Sequence, residues 1–204
     1  MLLSAYAQGI FPMASTRESP RLHWFEPQLR GVIPLRKFHI SRSLAREIRR
    51  ETFTIRTNTA FRAVIEGCAA RPETWINAPL VALYEALHAR GHAHALEVWR
   101  GGELVGGIFG VTLGGAFFGE SMFSRQPNAS KVALAHTVDR LLRAGFVLFD
   151  TQYLTAHLQS LGGEEIPRED YRRRLAEALR VKADFTAPDV ASGQSILQRS
   201  AQMS

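Results

Sequence analysis

The sequence predicts a mixed α/β domain, an α+β arrangement around a largely antiparallel sheet, and three observations carry that prediction. Two strand-like runs, His94–Arg100 and Glu103–Val111, flank Gly101-Gly102, the signature of a tight hairpin. A second glycine pair, Gly114-Gly115, leads into a third strand-like run, Ala116–Phe123. Asn128 then opens a helical stretch from Ala129 to Ala144, closed by Gly145 and followed by the apolar run Phe146–Asp150. Strand, helix and strand in that order require a crossover, and so one parallel pair joins the antiparallel sheet.

The remaining elements follow in chain order. Residues 1–30 are punctuated by Gly9, Pro12, Pro20 and Pro27, with Tyr6, Phe11, Trp24 and Phe25 between the breaks, which predicts a small, irregular N-terminal domain. Ser41 caps a helix through about Arg50. Phe53–Thr57 alternates like a short strand, and Asn58 or Thr59 starts a helix through Ala70 whose face carries Phe61, Val64, Ile65 and Cys68. A second helix from about Pro79 to Arg90 presents Leu80, Leu83, Tyr84 and Leu87 and ends at Gly91. Helices near Thr155–Leu161 and Arg168–Leu179 close a main domain spanning 31–182. Residues 183–204 mix Pro, Gly, Ser and Gln with little periodicity and predict a loosely ordered tail.

Composition narrows the function. The 204 residues are 46% hydrophobic and 22% charged, ordinary for a folded domain and unlike collagen-like, mucin-like or wholly disordered chains. Cys68 is the one cysteine, so neither a disulfide framework nor a cysteine metal cluster is available, and a reducing, cytoplasmic setting is expected. No run approaches the ~18 apolar residues of a membrane span, so no membrane partner is expected. The net charge is +6. Arg30, Arg36, Lys37, Arg42, Arg46, Arg49, Arg50 and Arg56 stand against Glu47 and Glu51, so this one segment carries a charge equal to that of the whole chain. Arg42, Arg46, Arg49 and Arg50 fall on one predicted helix face, either a solvated surface or a contact for RNA phosphates.

Two acids stand in apolar strands: Glu120 within Gly-Glu-Ser-Met-Phe, and Asp150 at the end of the strand after the long helix, a position where α/β sheets present ligands. Such carboxylates must be paired, hydrogen-bonded or shifted in proton affinity, whether they merely satisfy nearby cations or form a site. Gln152 lies two residues past Asp150 and shares its face if the strand persists. His88, His92 and His94 lack a carboxylate at ligand spacing, so no metal is expected.

The hairpin, third strand, long helix and parallel strand resemble the acyltransferase fold of the GCN5-related N-acetyltransferases. Their glycine-rich pyrophosphate loop is replaced here by Ser124–Lys131, which implies an acyl donor other than acetyl-CoA. A more specific resemblance is carried by Gly9-Ile-Phe-Pro12, Thr74-Trp-Ile76, Glu97-Val-Trp99, Gly119-Glu-Ser-Met-Phe-Ser124, Asn128-Ala-Ser-Lys131, Asp150-Thr-Gln152 and Ile166-Pro-Arg168. These motifs are similar to those of the bacterial leucyl/phenylalanyl-tRNA–protein transferases, which join that fold to a small N-terminal domain.

The resemblance implies transfer of Leu or Phe, and less often Met, from aminoacyl-tRNA to the α-amino group of proteins beginning with Arg or Lys, as a degradation signal of the N-end rule, with no cofactor. A monomer is expected. The implied catalytic residues are Asp150, Gln152 and Glu120. The implied substrate-binding residues are Met122, Phe117, Ile108 and Ser121, with Trp75 stacking on the terminal adenosine. Arg42, Arg46, Arg49 and Arg50 are the candidate tRNA contacts. The sequence departs from some relatives at Met13, where a second stacking Trp stands, and at Thr155, where an Asn stands.

Overall fold

The computed structural model describes residues 2–203 and builds them around a seven-stranded mixed sheet. In chain order the elements are α1 (Leu2–Tyr6), β1 (Phe11–Ala14), β2 (Leu22–Phe25), β3 (Leu29–Val32), a 3-10 turn at Leu35–Lys37, α2 (Arg42–Arg50), β4 (Thr54–Thr57), α3 (Phe61–Ala69), α4 (Ala78–Ala89), β5 (Ala93–Arg100), β6 (Glu103–Leu113) and β7 (Ala116–Ser124). They continue with α5 (Ala129–Arg143), β8 (Leu148–Gln152), α6 (Ala156–Gln159), β9 (Glu164–Pro167), α7 (Arg168–Ala178) and α8 (Gly193–Met203). The strand order is β4-β5-β6-β7-β8-β3-β9, and every neighbouring pair is antiparallel except β7 with β8. The predicted hairpin and the predicted parallel crossover pair are both present.

Alternation along the strands divides the core into two layers. One face of the sheet packs Val64 of α3, Leu80 and Tyr84 of α4, Tyr6 of α1 and Tyr171 of α7 against Phe109 and Phe118. The other packs Leu44 and Ile48 of α2, Leu134 and Val138 of α5, and Leu158 of α6 against Val98, Ile108 and Phe117. Side chains start the helices where the sequence offers them: Ser41 Oγ accepts from Leu44 N at 3.3 Å and Asn77 Oδ1 from Leu80 N at 2.9 Å. Asn128 instead enters α5 with a left-handed backbone, φ 67°, and no side-chain cap; Ser124 Oγ accepts the Ser130 N–H at 3.2 Å.

Two expectations need correction. The first thirty residues are not irregular: α1 and the β1–β2 hairpin form a small unit, and Leu29–Val32 is an internal strand of the main sheet between β8 and β9. Pro and Gly spacing hid these elements because each strand is only four residues long. The C-terminal segment is also ordered. Phe185 is buried, its ring 5.6 Å from Phe117 and 4.7 Å from His94, and α8 packs Ile196 inward while Arg199 bonds Asp139 at 2.6 Å. A few isolated anchors hold this segment, so periodicity gave little sign of them.

Candidate active site

The site lies where β7 and β8 part. They pair only from Ala116 to Phe118 against Leu148 to Asp150; beyond that β7 follows β6 to Ser124 while β8 turns to β3. Gly119 sits at the parting point, where a Cβ would fall 2.8 Å from the Phe149 ring. A bulge then leaves Glu120 as an extra residue of β7, since Phe109 pairs with Ser121 but Gly110 pairs with Gly119. Consequently Glu120 and Ser121 both face the α3/α4 layer, and Met122, opposite Ile108, turns toward α5.

Glu120 is 6% exposed and accepts three side-chain hydrogen bonds: from Tyr6 Oη at 2.7 Å, Tyr84 Oη at 2.7 Å and Gln152 Nε2 at 3.2 Å. Burial pushes its carboxyl up to about 7, against the two tyrosine hydroxyls, which favour the charged form. Both tyrosines are themselves held well above their ordinary range by burial first and by the facing carboxylate second.

Asp150 has no exposed surface, and its acceptors are engaged. Arg30 donates Nε to Oδ1 at 2.9 Å and Nη2 to Oδ2 at 2.6 Å, Tyr171 Oη donates to Oδ2 at 2.7 Å, and the Gln152 N–H donates to Oδ1 at 2.8 Å. The Arg30 guanidinium lies between the rings of Phe11 (4.6 Å) and Tyr171 (4.3 Å) and gives its remaining arm to Gly9 O at 2.8 Å. Through the Gln152 N–H, Asp150 pins a backbone that no strand would adopt: Gln152 has φ 59°. The Gln152 amide then points its NH2 at Glu120, which leaves its carbonyl oxygen as the free acceptor.

Gln152 belongs to the lining of a cavity of about 220 Å³ that passes through the opened sheet. Glu120, Ser121, Met13 and Trp75 line it on one side, and Ile108, Met122, Leu134, Phe149 and Leu158 line its apolar end. Of the residues singled out in the sequence, Glu120, Gln152, Met122, Ile108, Ser121 and Trp75 come together here, as do the two departing positions Met13 and Thr155. Asp150 stands behind Gln152, outside the lining. Phe117 is 1% exposed and packs edge-on against the lining residue Phe149 at 5.2 Å, in the same apolar layer as Ile108 and Leu134. The β7 bulge lets Met122 reach the α5 layer beside the cavity, whereas Phe117, before the bulge, is buried under Phe149.

Sequence reading missed Arg30, Tyr6, Tyr84 and Tyr171 as site residues. Arg30 was hidden at the head of a basic run, and Tyr84 sat on an apolar helix face where an aromatic reads as core.

Arg42, Arg46, Arg49 and Arg50 lie away from the cavity, on one face of α2 within roughly 100° of arc. All are exposed and none has a hydrogen-bond or ion-pair partner among the described residues. The acids that might neutralise them are otherwise engaged: Glu47 with Thr52 at 2.6 Å, Glu51 with Gly193 N at 2.6 Å, Glu66 with Arg62 at 2.9 Å. On α7 the reverse holds. Arg168 and Arg172 engage Glu26, Arg173 pairs with Asp170 at 2.8 Å and Arg174 with Glu164 at 3.6 Å. Among the described residues no group of three or more His, Cys, Asp or Glu is placed to hold a metal, and no helix is long and apolar enough to cross a membrane.

Comparison with known proteins follows this geometry. Among solved structures, FemX superposes with a TM-score of 0.54 at 10% identity, over 81% of this chain and 66% of that one, which shows a shared fold and agrees with the acyltransferase architecture expected from the sequence. The family model described as "Leucyl/phenylalanyl-tRNA protein transferase" matches residues 32–176, and the model of that family's N-terminal domain matches residues 1–28. The leucyl/phenylalanyl-tRNA–protein transferase of Cereibacter sphaeroides is 58% identical over all of this chain and 96% of its own length; that of Ruegeria pomeroyi is 57% identical over all of this chain and 97% of its own. With that family model matching most of its length and relatives this similar over their whole length, the chain belongs to the leucyl/phenylalanyl-tRNA–protein transferase family of aminoacyltransferases.

Proposed function

We propose that the protein moves leucine or phenylalanine, and less often methionine, from the 3′ end of aminoacyl-tRNA to the α-amino group of cytoplasmic proteins beginning with Arg or Lys, marking them for degradation. The observation that carries the proposal is the fixed Gln152 carbonyl beside an apolar cavity, with a buried carboxylate next to it.

The donor ester is already activated, so the protein need only orient a neutral amine and receive a proton. The donor side chain enters the apolar end among Ile108, Met122, Leu134 and Leu158. Unbranched-at-Cβ side chains thread between the parted strands, whereas a Cβ branch meets the wall. Trp75 supplies a stacking face for the terminal adenosine at the mouth. The acceptor nitrogen attacks the ester carbon while its hydrogen is held by Gln152 Oε1; collapse of the tetrahedral intermediate forms the peptide bond and expels the ribose oxygen, which takes up a proton. Glu120 orients Gln152 and places negative charge beside the incoming amine or the acceptor's cationic end. Asp150 and Arg30 are positioning residues, acting through the Gln152 backbone. The unpaired α2 arginines contact tRNA phosphates.

The deciding experiment incubates radiolabelled Leu-tRNA with an Arg-starting peptide and with the same peptide starting with Ala. Label in the Arg peptide alone is expected; label in neither, or equally in both, overturns the acceptor assignment. Met122→Ala should change the ratio of Leu, Phe and Met transfer by the roughly 1–3 kcal/mol that pocket methylenes contribute to specificity, and Phe117→Ala, which removes the support of the lining residue Phe149, should alter it as well while lowering stability.

A further inference from the structure

Beside the catalytic cavity lies a second groove of about 240 Å³, lined by Gly67, Ala70, Arg71, Phe123, Ser124 and Arg125. Arg71 lines both, so the groove continues the cavity mouth past Trp75. Both arginines are exposed, and neither has an acidic partner among the described residues. Each is nevertheless held in place. Arg71 gives one N–H to Met122 O at 2.5 Å, and its loop is tied down by Arg17, which donates to Ala69 O at 2.7 Å and Arg71 O at 2.8 Å. Arg125 gives one N–H to Leu104 O at 3.1 Å and lies over the Phe123 ring at 5.3 Å. Neutral carbonyls and a ring fix these guanidiniums without neutralising them, and most of their donors remain available.

Pre-oriented, unneutralised arginines leading away from an aromatic platform form the kind of cationic track that follows a single-stranded phosphate chain. We propose that this groove binds the phosphodiesters preceding the terminal nucleoside of the donor RNA, Arg71 taking the first and Arg125 the second. The inference rests on the functional reading above and deepens it: the RNA end would be gripped by the α3–β7 side of the molecule as well as by the arginine face of α2, on the opposite layer.

The test varies donor length against substitution. Phenylalanyl esters of adenosine, of cytidylyl-adenosine and of cytidylyl-cytidylyl-adenosine carry zero, one and two phosphodiesters before the ester. Transfer to an Arg-starting peptide is measured for the wild type, Arg71→Gln and Arg125→Gln. Arg71→Gln is expected to lower kcat/KM, through KM, about tenfold more with the two longer donors than with the adenosine ester. Arg125→Gln should show that extra loss only with the longest. Each substitution should also flatten the dependence of log KM on log salt by about 0.7 for the donors it affects. Equal losses on all three donors would mean that the arginines merely support the cavity, and no loss on any would mean that the phosphates run elsewhere; either outcome overturns the proposal. Absence of transfer by the wild type from intact Phe-tRNA would instead overturn the functional reading itself.

Discussion

Asp150 and Glu120 are carboxylates of adjoining strands, both buried, and both bonded to Gln152. Their surroundings differ in kind. Asp150 receives a bidentate arginine, a tyrosine and a backbone N–H, with no exposed surface. Glu120 faces a cavity, receives only neutral donors and is pushed up to about 7 by burial. One is tied to a buried guanidinium and holds shape. The other changes charge near neutrality beside an open cavity. The lesson is that two acids of similar burial are assigned different work by what neutralises them, here a cation in one case and hydroxyls in the other.

The largest expected effect tests the sealed half. Arg30→Ala strands the Asp150 charge in the core, and loss of one partner of a buried pair costs about 3–5 kcal/mol, readable in urea or thermal unfolding. A cost below about 1 kcal/mol would show that Asp150 is not sealed. Next comes Gln152→Gly, which removes the side chain but suits φ 59°. Stability should stay within about 1 kcal/mol of the wild type while turnover falls on the order of a hundredfold, with tRNA binding unchanged. A matched loss of stability and turnover would contradict the separation of scaffold from reacting group.

The pH dependence sharpens the contrast. Glu120 is raised from 4.5 to about 7, so the folded protein binds the proton more tightly than the unfolded chain. This group therefore favours folding most below the unfolded value, and the contribution is lost as pH rises to about 7. Activity should move the opposite way, since the ionised form both orients Gln152 and attracts the amine: kcat rises through about pH 7. Glu120→Gln should flatten both profiles in that window and leave a low residual rate. The smallest effects come from single hydroxyls. Tyr6→Phe removes a donor that holds the Glu120 value down, so the activity midpoint shifts to higher pH. Tyr171→Phe should cost about 1 kcal/mol of stability and leave that midpoint in place. Identical midpoint shifts in both variants would erase the distinction between the two halves.

The same contrast explains what the sequence disclosed. Turn glycines, helix periodicity and the crossover pair are local signals, and the hairpin, α5 and the parallel strand were legible from them. Glu120, Asp150 and Gln152 were legible as polar residues in apolar strands. Their neighbours were not, because Tyr6 and Tyr84 come 114 and 36 residues away from Glu120, and Arg30 lies 120 from Asp150. The shared layer of Phe117 and Met122 was not legible from alternation, because the bulge at Glu120 shifts the strand's period without any Gly or Pro at the inserted residue to announce it. Charge pattern favoured α2 over α7, whose basic run is interrupted by Glu169 and Asp170, but it did not show which acids the tertiary fold brings to each helix.

The ordered C-terminal segment has a consequence for the order in which the protein is made. At Gly193 the chain passes so close to α2 that a Cβ would fall 2.2 Å from Ile48 O, and the Gly193 N–H is bonded to Glu51. The arginine helix therefore emerges from the ribosome about 140 residues before the segment on which it rests. Throughout that interval its inner residues Leu44 and Ile48 lack the packing of α8, and for the greater part of it that of α5 as well, so the helix is held only loosely while most of the chain is still being synthesised. A ribosome that stalls or ends short of the last dozen residues would release a molecule whose parted strands are assembled but whose arginine helix lacks the part of its floor that α8 supplies.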